Sequence, residues 1–272
     1  MVKRKMNESS GDEAPGPGTV TIRAYAELND FLPRHRRQKS FKYSMNGGNS
    51  LKHLIESAGI PHTEIEVVLV NGRSVGLDAT VENGDRISLY PVFETIDVKP
   101  LVKLRPEPLM KTRFILDVHL GKLALILRLL GFDAQFPGDV PDEELAAISS
   151  EENRILLTRD TMLLKRSMVT HGCYIHSQDP EEQAAEVLNR LDLRDRVKPF
   201  SRCPDCGSPL EPVSKESVLD RLEPLTRKYY DEFSICVACG KVYWKGSHFQ
   251  PLLDLLDRLN VPYSVKGEDN GN

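Results

Sequence analysis

The sequence contains no apolar run approaching the roughly 18 residues that span a bilayer core, so no membrane-crossing helix is expected. It also lacks the basic-then-apolar pattern of a secretory leader, because residues 1–18 are polar and rich in Ser, Gly and Pro. Cysteine is scarce, at five residues in 272. Neither sign of charge dominates: 36 basic residues face 40 acidic ones, and the net charge of −4 excludes a polycation. Any nucleic-acid surface must therefore be local. A cytoplasmic protein with reduced thiols is the expectation, with no membrane partner.

Four of the five cysteines are paired by spacing. Cys203 and Cys206 stand in C-P-D-C-G, and Cys236 and Cys239 in C-V-A-C-G. A two-residue gap lets one tight turn present two thiolates to a single ion, and the following Gly permits a positive φ. Residues 207–235 separate the pairs, so a hairpin with a sizeable insertion must bring them together. Structural zinc on four thiolates is expected, ahead of two disulfides or two redox dithiols. Cys173 is left over in a strand-like run and reads as a small core residue.

Residues 1–18 read as a disordered tail. From Thr19, Val20, Ile22 and Ala24 alternate with polar neighbours as in a half-buried strand. Ser50 is placed to cap a helix carrying Leu51, Leu54, Ile55 and Ala58 on one face. Asn71-Gly72 is a hairpin turn, and Asn83-Gly84 leads into a last strand. Strand, strand, helix, strand, strand over residues 19–94 predicts a β-grasp domain. Residues 95–111 form a basic, Pro-containing linker.

Beyond it the pattern changes to strands alternating with helices, which predicts a parallel α/β sheet covered on both faces. Phe114-Ile115-Leu116 ends in Asp117, and Ile155-Leu156-Leu157-Thr158 is followed by Asp160. Ligands gather at the carboxyl ends of such strands, so both acids are expected on one rim. Asp142, Glu143 and Glu144 open a helix that can lean over the same edge. Clustered hard oxygens suit Mg²⁺ or Mn²⁺, which activates water and neutralises phosphodiester charge. Each acid has a plainer alternative as a helix cap, and for Asp179, followed by Pro180, the cap is the preferred reading. If the carboxylates are crowded, removing one is expected to leave stability level or raise it.

After the second cysteine pair, Lys241, Tyr243, Trp244, Lys245 and His248 interleave cations and rings, a pattern suited to single-stranded RNA. The packing alternative is that the rings cover the zinc site. Pro251 opens a final helix with Leu252, Leu255, Leu256 and Leu259 as its apolar stripe.

Two resemblances join these observations. V-V-L-V-N-G-R-S-V with E-N-G-D-R-I-S-L-Y resembles the ubiquitin-like sulfur carriers, which act through a terminal Gly-Gly. Here Phe93-Glu94-Thr95 follows the last strand, so carrier chemistry is not expected. The run F-I-L-D-V-H-L-G-K-L-A, then D-E-E-L, L-L-T-R-D and Y-W-K-G-S-H, resembles the Mut-seven carboxyl-terminal RNase family. That resemblance implies a PIN-like fold at 112–199, a zinc ribbon at 200–250 and a helix and tail at 251–272. It implies catalytic roles for Asp117, Asp142, Glu143 and Asp160. It also matches Lys122 and Arg128 to basic positions of the first helix, Lys122 as a phosphate contact and Arg128 at the RNA or paired internally. A fourth acid typical of PIN nucleases is not evident. The expected function is metal-dependent cleavage of RNA, with the β-grasp domain dispensable for cleavage and docking a protein or the ribosome. The alternative is a non-catalytic RNA- or ribosome-binding adaptor on a degenerate fold.

Overall fold

A computed structural model describes residues 18–45, 50–91, 111–246 and 249–262. The tail at 1–17, nearly all of the linker, His248 and residues 263–272 lie outside the described residues. Within these limits the chain forms two compact units. Residues 18–60 and 67–91 belong to the first, and residues 61–66 and 111–262 to the second.

The first unit is a five-stranded mixed sheet with a helix on it. Its strands are β1 (Thr19–Ala24), β2 (Phe41–Ser44), β3 (Val67–Val70), β4 (Arg73–Val75) and β5 (Arg86–Tyr90), in the order β2-β1-β5-β3-β4. The central pair β1 and β5 is parallel and every other pairing is antiparallel. Helix α1 (Leu51–Ser57) is capped by Ser50, whose hydroxyl accepts from the His53 N–H. Its face of Leu51, Leu54 and Ile55 is buried, as are Val20, Ile22, Ile87 and Leu89 from the sheet. Asn71 and Gly72 both take positive φ, the conformation of a type I′ turn whose twist suits a two-residue hairpin. The β-grasp expectation holds.

The second unit is built on a four-stranded, wholly parallel sheet. Its strands are β6 (Arg113–Leu116), β7 (Asp133–Gln135), β8 (Ile155–Thr158) and β9 (Gly172–Tyr174), in the order β7-β6-β8-β9. Helices α2 (Gly121–Leu129), α3 (Asp142–Glu151), α4 (Thr161–Leu164) and α5 (Pro180–Arg190) alternate with them. Strand β7 has no sequence signature, since Asp-Ala-Gln is too short to show a period. Leu123, Leu127, Ala184, Val187 and Leu188 from α2 and α5 share one core with Phe114, Leu116 and Leu157. Ile115, Leu145, Ala146 and Leu156 form a second core on the other face, so the sheet is buried on both sides.

A three-stranded antiparallel ribbon follows, made of β10 (Leu210–Val213), β11 (Phe233–Cys236) and β12 (Val242–Trp244). The insertion between the cysteine pairs carries two short helices, α6 (Lys215–Val218) and α7 (Pro224–Tyr229). Helix α8 (Phe249–Arg258) returns its stripe of Leu252, Leu255 and Leu256 to the core of the parallel layer. It begins two residues before the Pro251 start expected. Among the described residues, no helix is long and apolar enough to cross a membrane.

Candidate functional site

Two of the predicted acids, Asp117 and Asp160, follow the adjacent strands β6 and β8 at the carboxyl rim of the parallel sheet. Asp117 follows β6 directly and starts a single 3₁₀ turn, Val118–Leu120, before α2. Its carboxylate is buried and accepts three hydrogen bonds. Oδ1 accepts from the His119 N–H at 2.9 Å, and Oδ2 accepts from the Thr158 hydroxyl and from the Arg159 N–H at 3.2 Å. The same Thr158 hydroxyl accepts from the Asp160 N–H at 2.9 Å. Two adjacent parallel strands thus deliver two acids to one edge, joined through a buried threonine. Asp160 is exposed and caps α4, its Oδ1 accepting from Met162 N–H at 2.7 Å.

Arg159 braces the same edge. Its guanidinium donates to the carbonyl of His176 at 2.8 Å and to that of Ser177, fixing the end of β9. Glu186 holds that end from the other side, accepting from the His176 N–H at 3.0 Å and bonding the His176 Nδ1 at 2.7 Å. Burial raises the Glu186 pKa, but the bonds from His176 outweigh it and hold the carboxyl below its ordinary value. Glu64, in the 61–66 segment of this unit, is fully buried and accepts from Arg190 at 2.5 Å and from Tyr174 N–H at 2.7 Å. Thr158, Arg159, Glu186 and Glu64 received no role in the sequence reading. Only Thr158 and Arg159 had a signal, their place inside L-L-T-R-D.

The remaining predicted acids stand apart. Asp142, Glu143 and Glu144 form the exposed first turn of α3, and Asp142 lies 3.8 Å from Arg166. Among the described residues, no three carboxylates bring ligand oxygens together; the four cysteines form the one group with metal-ligand spacing. The donor chemistry of Asp117 and Asp160 suits a hard cation, with two acids in place of the expected cluster. Asp179 is a cap, accepting from the N–H groups of Glu181 and Glu182. Lys122 is the exposed second residue of α2.

Arg128 departs from the expectation of an RNA contact. It is buried, and its Nε donates to the Ala134 carbonyl at 2.8 Å. Its Nη1 donates to the carbonyls of Pro204 at 3.1 Å and Asp205 at 2.7 Å. The guanidinium therefore binds the first cysteine turn to the parallel layer. Burial lowers its pKa, partly offset by the neighbouring thiols and carboxylates.

The cysteine turns are near copies. Gly207 N–H donates to the Cys203 carbonyl at 2.9 Å, and Gly240 N–H to that of Cys236 at 3.0 Å. Both glycines take positive φ, +77° and +73°. Sulfur separations are 3.7 Å for Cys203–Cys239 and 3.4 Å for Cys206–Cys236, and all four lie within 4.8 Å of one another. Tetrahedral Zn–S bonds of ~2.3 Å imply S–S edges of about 3.8 Å, so the set is compatible with structural zinc. For Cys206, burial opposes ionisation, yet bonds from Ser208 bring the thiol down to about 6.

The aromatic run beside the ribbon is largely committed to it. Tyr243 OH lies 3.0 Å from Cys203 Sγ and donates to Asp205 Oδ2 at 3.3 Å, and Lys241 pairs with the same carboxylate. Burial and the Cys203 sulfur raise the Tyr243 pKa. Trp244 rests near Phe233 and Tyr230 with 40% of its surface exposed. Lys245 pairs with Glu232 at 2.9 Å.

A β-grasp unit, a parallel α/β layer and a four-cysteine ribbon define the class: a ubiquitin-like module ahead of a parallel α/β domain with a cysteine ribbon that could hold zinc. Family models match both parts, the Mut7-C RNAse domain over residues 112–256 and the Mut7-C ubiquitin domain over residues 18–97. The chain belongs to the Mut7-C RNase family. No curated protein and no solved structure matches it.

Proposed function

We propose that this chain is a cytoplasmic, divalent-metal-dependent ribonuclease that hydrolyses RNA phosphodiester bonds at the rim formed by Asp117 and Asp160. The observation that carries the reading is the Thr158 hydroxyl, which bonds Asp117 and the Asp160 backbone at once and so sets two carboxylates on neighbouring strand ends. Asp117 and Asp160 would hold Mg²⁺ or Mn²⁺, with Asp142 or Glu143 reaching in from α3. Such an ion supplies an activated water and neutralises charge at phosphorus. The chain's own residues do the rest. The Arg159 and His119 N–H groups donate to Asp117 and hold its carboxylate in one orientation. Lys122, exposed at the start of α2, would meet substrate phosphate. The ribbon, held by zinc, would present Trp244 and Lys245 to the RNA strand.

A second reading is a non-catalytic RNA- or ribosome-binding adaptor. It is favoured by the absence of a third carboxylate near Asp117 among the described residues. Cleavage of end-labelled RNA with added Mn²⁺ separates the two. The nuclease reading expects cutting by the wild type and a loss of orders of magnitude in Asp160→Asn. Intact RNA with the zinc-loaded wild type, across single strands and hairpins, would leave the adaptor.

A further inference from the structure

The five strands of the first unit contain four cations, Arg23, Lys42, Arg73 and Arg86, and no Asp or Glu. Strand geometry sends alternate side chains to opposite faces, and Val20, Ile22, Ile87 and Leu89 define the buried one. Cross-strand register then places Lys42, Thr21 and Arg86 in one row on the opposite face, with Arg23 beside Ser88 in the next. Lys42 and Arg86 are exposed. Thr21 separates Lys42 from Arg86 in that row, and neither cation has an acid opposite it in the register.

Aromatic rings extend the same face. Tyr25 and Tyr90 stack with centroids 4.4 Å apart and planes 8° from parallel, and the Arg23 guanidinium carbon lies 5.4 Å from the Tyr25 centroid. Tyr25 keeps 37% of its surface exposed. At the β2 edge, residues 34–42 add Arg34, His35, Arg36, Arg37 and Lys39 to Lys42, with no acid from 31 to 45. That loop is held in shape. Arg37 Nε donates to the Leu32 carbonyl at 2.8 Å, and Gln38 N–H donates to Asn29 Oδ1 at 2.6 Å. The concentration of positive charge contrasts with a molecule whose net charge is −4.

We propose that the basic part of this sheet face, around Lys42 and Arg86, and its basic loop form a single-stranded RNA-docking surface on the β-grasp unit. Lys42 and Arg86 would meet phosphates, and a base would stack on Tyr25 in place of the Arg23 guanidinium, which would swing from the ring to a phosphate. A paired Tyr platform on a sheet favours unstacked bases over a duplex, whose bases present no free face. The charge pattern alone would also fit an acidic protein; the ring stack and the nuclease family of the chain favour RNA. The inference rests on RNA being the ligand of this chain and not on the acid rim cutting it.

Fluorescence anisotropy of the full chain tests it, using a labelled single-stranded oligouridylate of about 20 nucleotides, no added divalent metal and a series of salt concentrations. Each phosphate contact contributes about 0.7 to the logarithmic salt slope of single-strand binding. Combined Arg23→Ala, Lys42→Ala and Arg86→Ala is expected to flatten the slope by about 2 and weaken binding roughly 10- to 100-fold at ~0.1 M salt. Arg23→Lys with Arg86→Lys should keep the slope, which distinguishes lost charge from lost fold. Tyr25→Leu should weaken binding about tenfold with the slope unchanged. Wild-type affinity and slope in the triple variant would overturn the proposal. So would duplex RNA bound as tightly as the single strand, or polyglutamate competing as well as RNA of equal charge. Because binding is read without cleavage, an inactive acid rim leaves this result untouched.

Discussion

Asp117 is both the centre of the proposed site and a structural group, and the two roles make separable demands. With three donors on a buried carboxylate, Asp117→Asn places an amide N–H₂ or a weaker acceptor against groups that donate. The expected cost is roughly 1–3 kcal/mol, read as a lower melting temperature. This reverses the expectation of level or raised stability, which assumed crowded carboxylates; among the described residues no three carboxylates gather. Asp160, exposed and with a single capping bond, should lose less on Asp160→Asn, about 1 kcal/mol or below. Glu186 gives a pH test. Its folded pKa lies below the ordinary 4.5, so the stability it contributes is present above about 4.5 and disappears as pH falls through the lower folded value. Urea midpoints of wild type and Glu186→Gln should differ at pH 7 and converge toward pH 3. A constant gap across that range would contradict the assignment.

At the scale of elements, legibility followed the physics of each signal. Helices α1 and α5 were readable because their apolar periods ran over two turns or more and Ser50 and Asp179 advertised their caps. The Asn71-Gly72 hairpin was readable because its turn requires positive φ at two positions. Strand β7 was not, since three residues carry no period and its place is set by pairing with β6. The rim was half legible: strand ends announced Asp117 and Asp160, but the Thr158 hydroxyl and the Arg159 brace depend on the parallel register of β6 against β8, which no local pattern encodes. Arg128 shows the same limit. Its position on α2 left open an RNA contact or an internal pairing, and tertiary packing sets it against backbone carbonyls of β7 and the first cysteine turn. Arg128→Ala would leave three carbonyls without their donor and should cost on the order of 2–4 kcal/mol. The account also expects one zinc per chain by elemental analysis. Cys206→Ser should lose that zinc and unfold the ribbon ahead of the parallel layer, because the energy of metal binding is largely folding energy in such modules. Melting followed by Trp244 fluorescence, the single Trp lying on β12, reports the ribbon directly.

At the scale of the whole molecule, the expectation that residues 1–94 are dispensable meets residues 61–66, which pack within the second unit. Removing them takes away Glu64 and leaves Arg190, whose pKa is raised by Cys173 and Glu64 against its burial, without its closest carboxylate. A truncation beginning at residue 95 should therefore melt lower than the full chain, and Glu64→Gln in the full chain should reproduce part of the loss. Equal melting temperatures for all three would contradict this. The central claim concerns the rim itself: two carboxylates on adjacent strand ends bind the ion that RNA cleavage uses. The most direct measurement is anomalous diffraction from a crystal soaked in Mn²⁺. The account predicts a peak ligated by Asp117 and Asp160 that disappears in Asp160→Asn. Manganese bound elsewhere, or none at the rim of a crystal whose protein still cuts RNA, would contradict it.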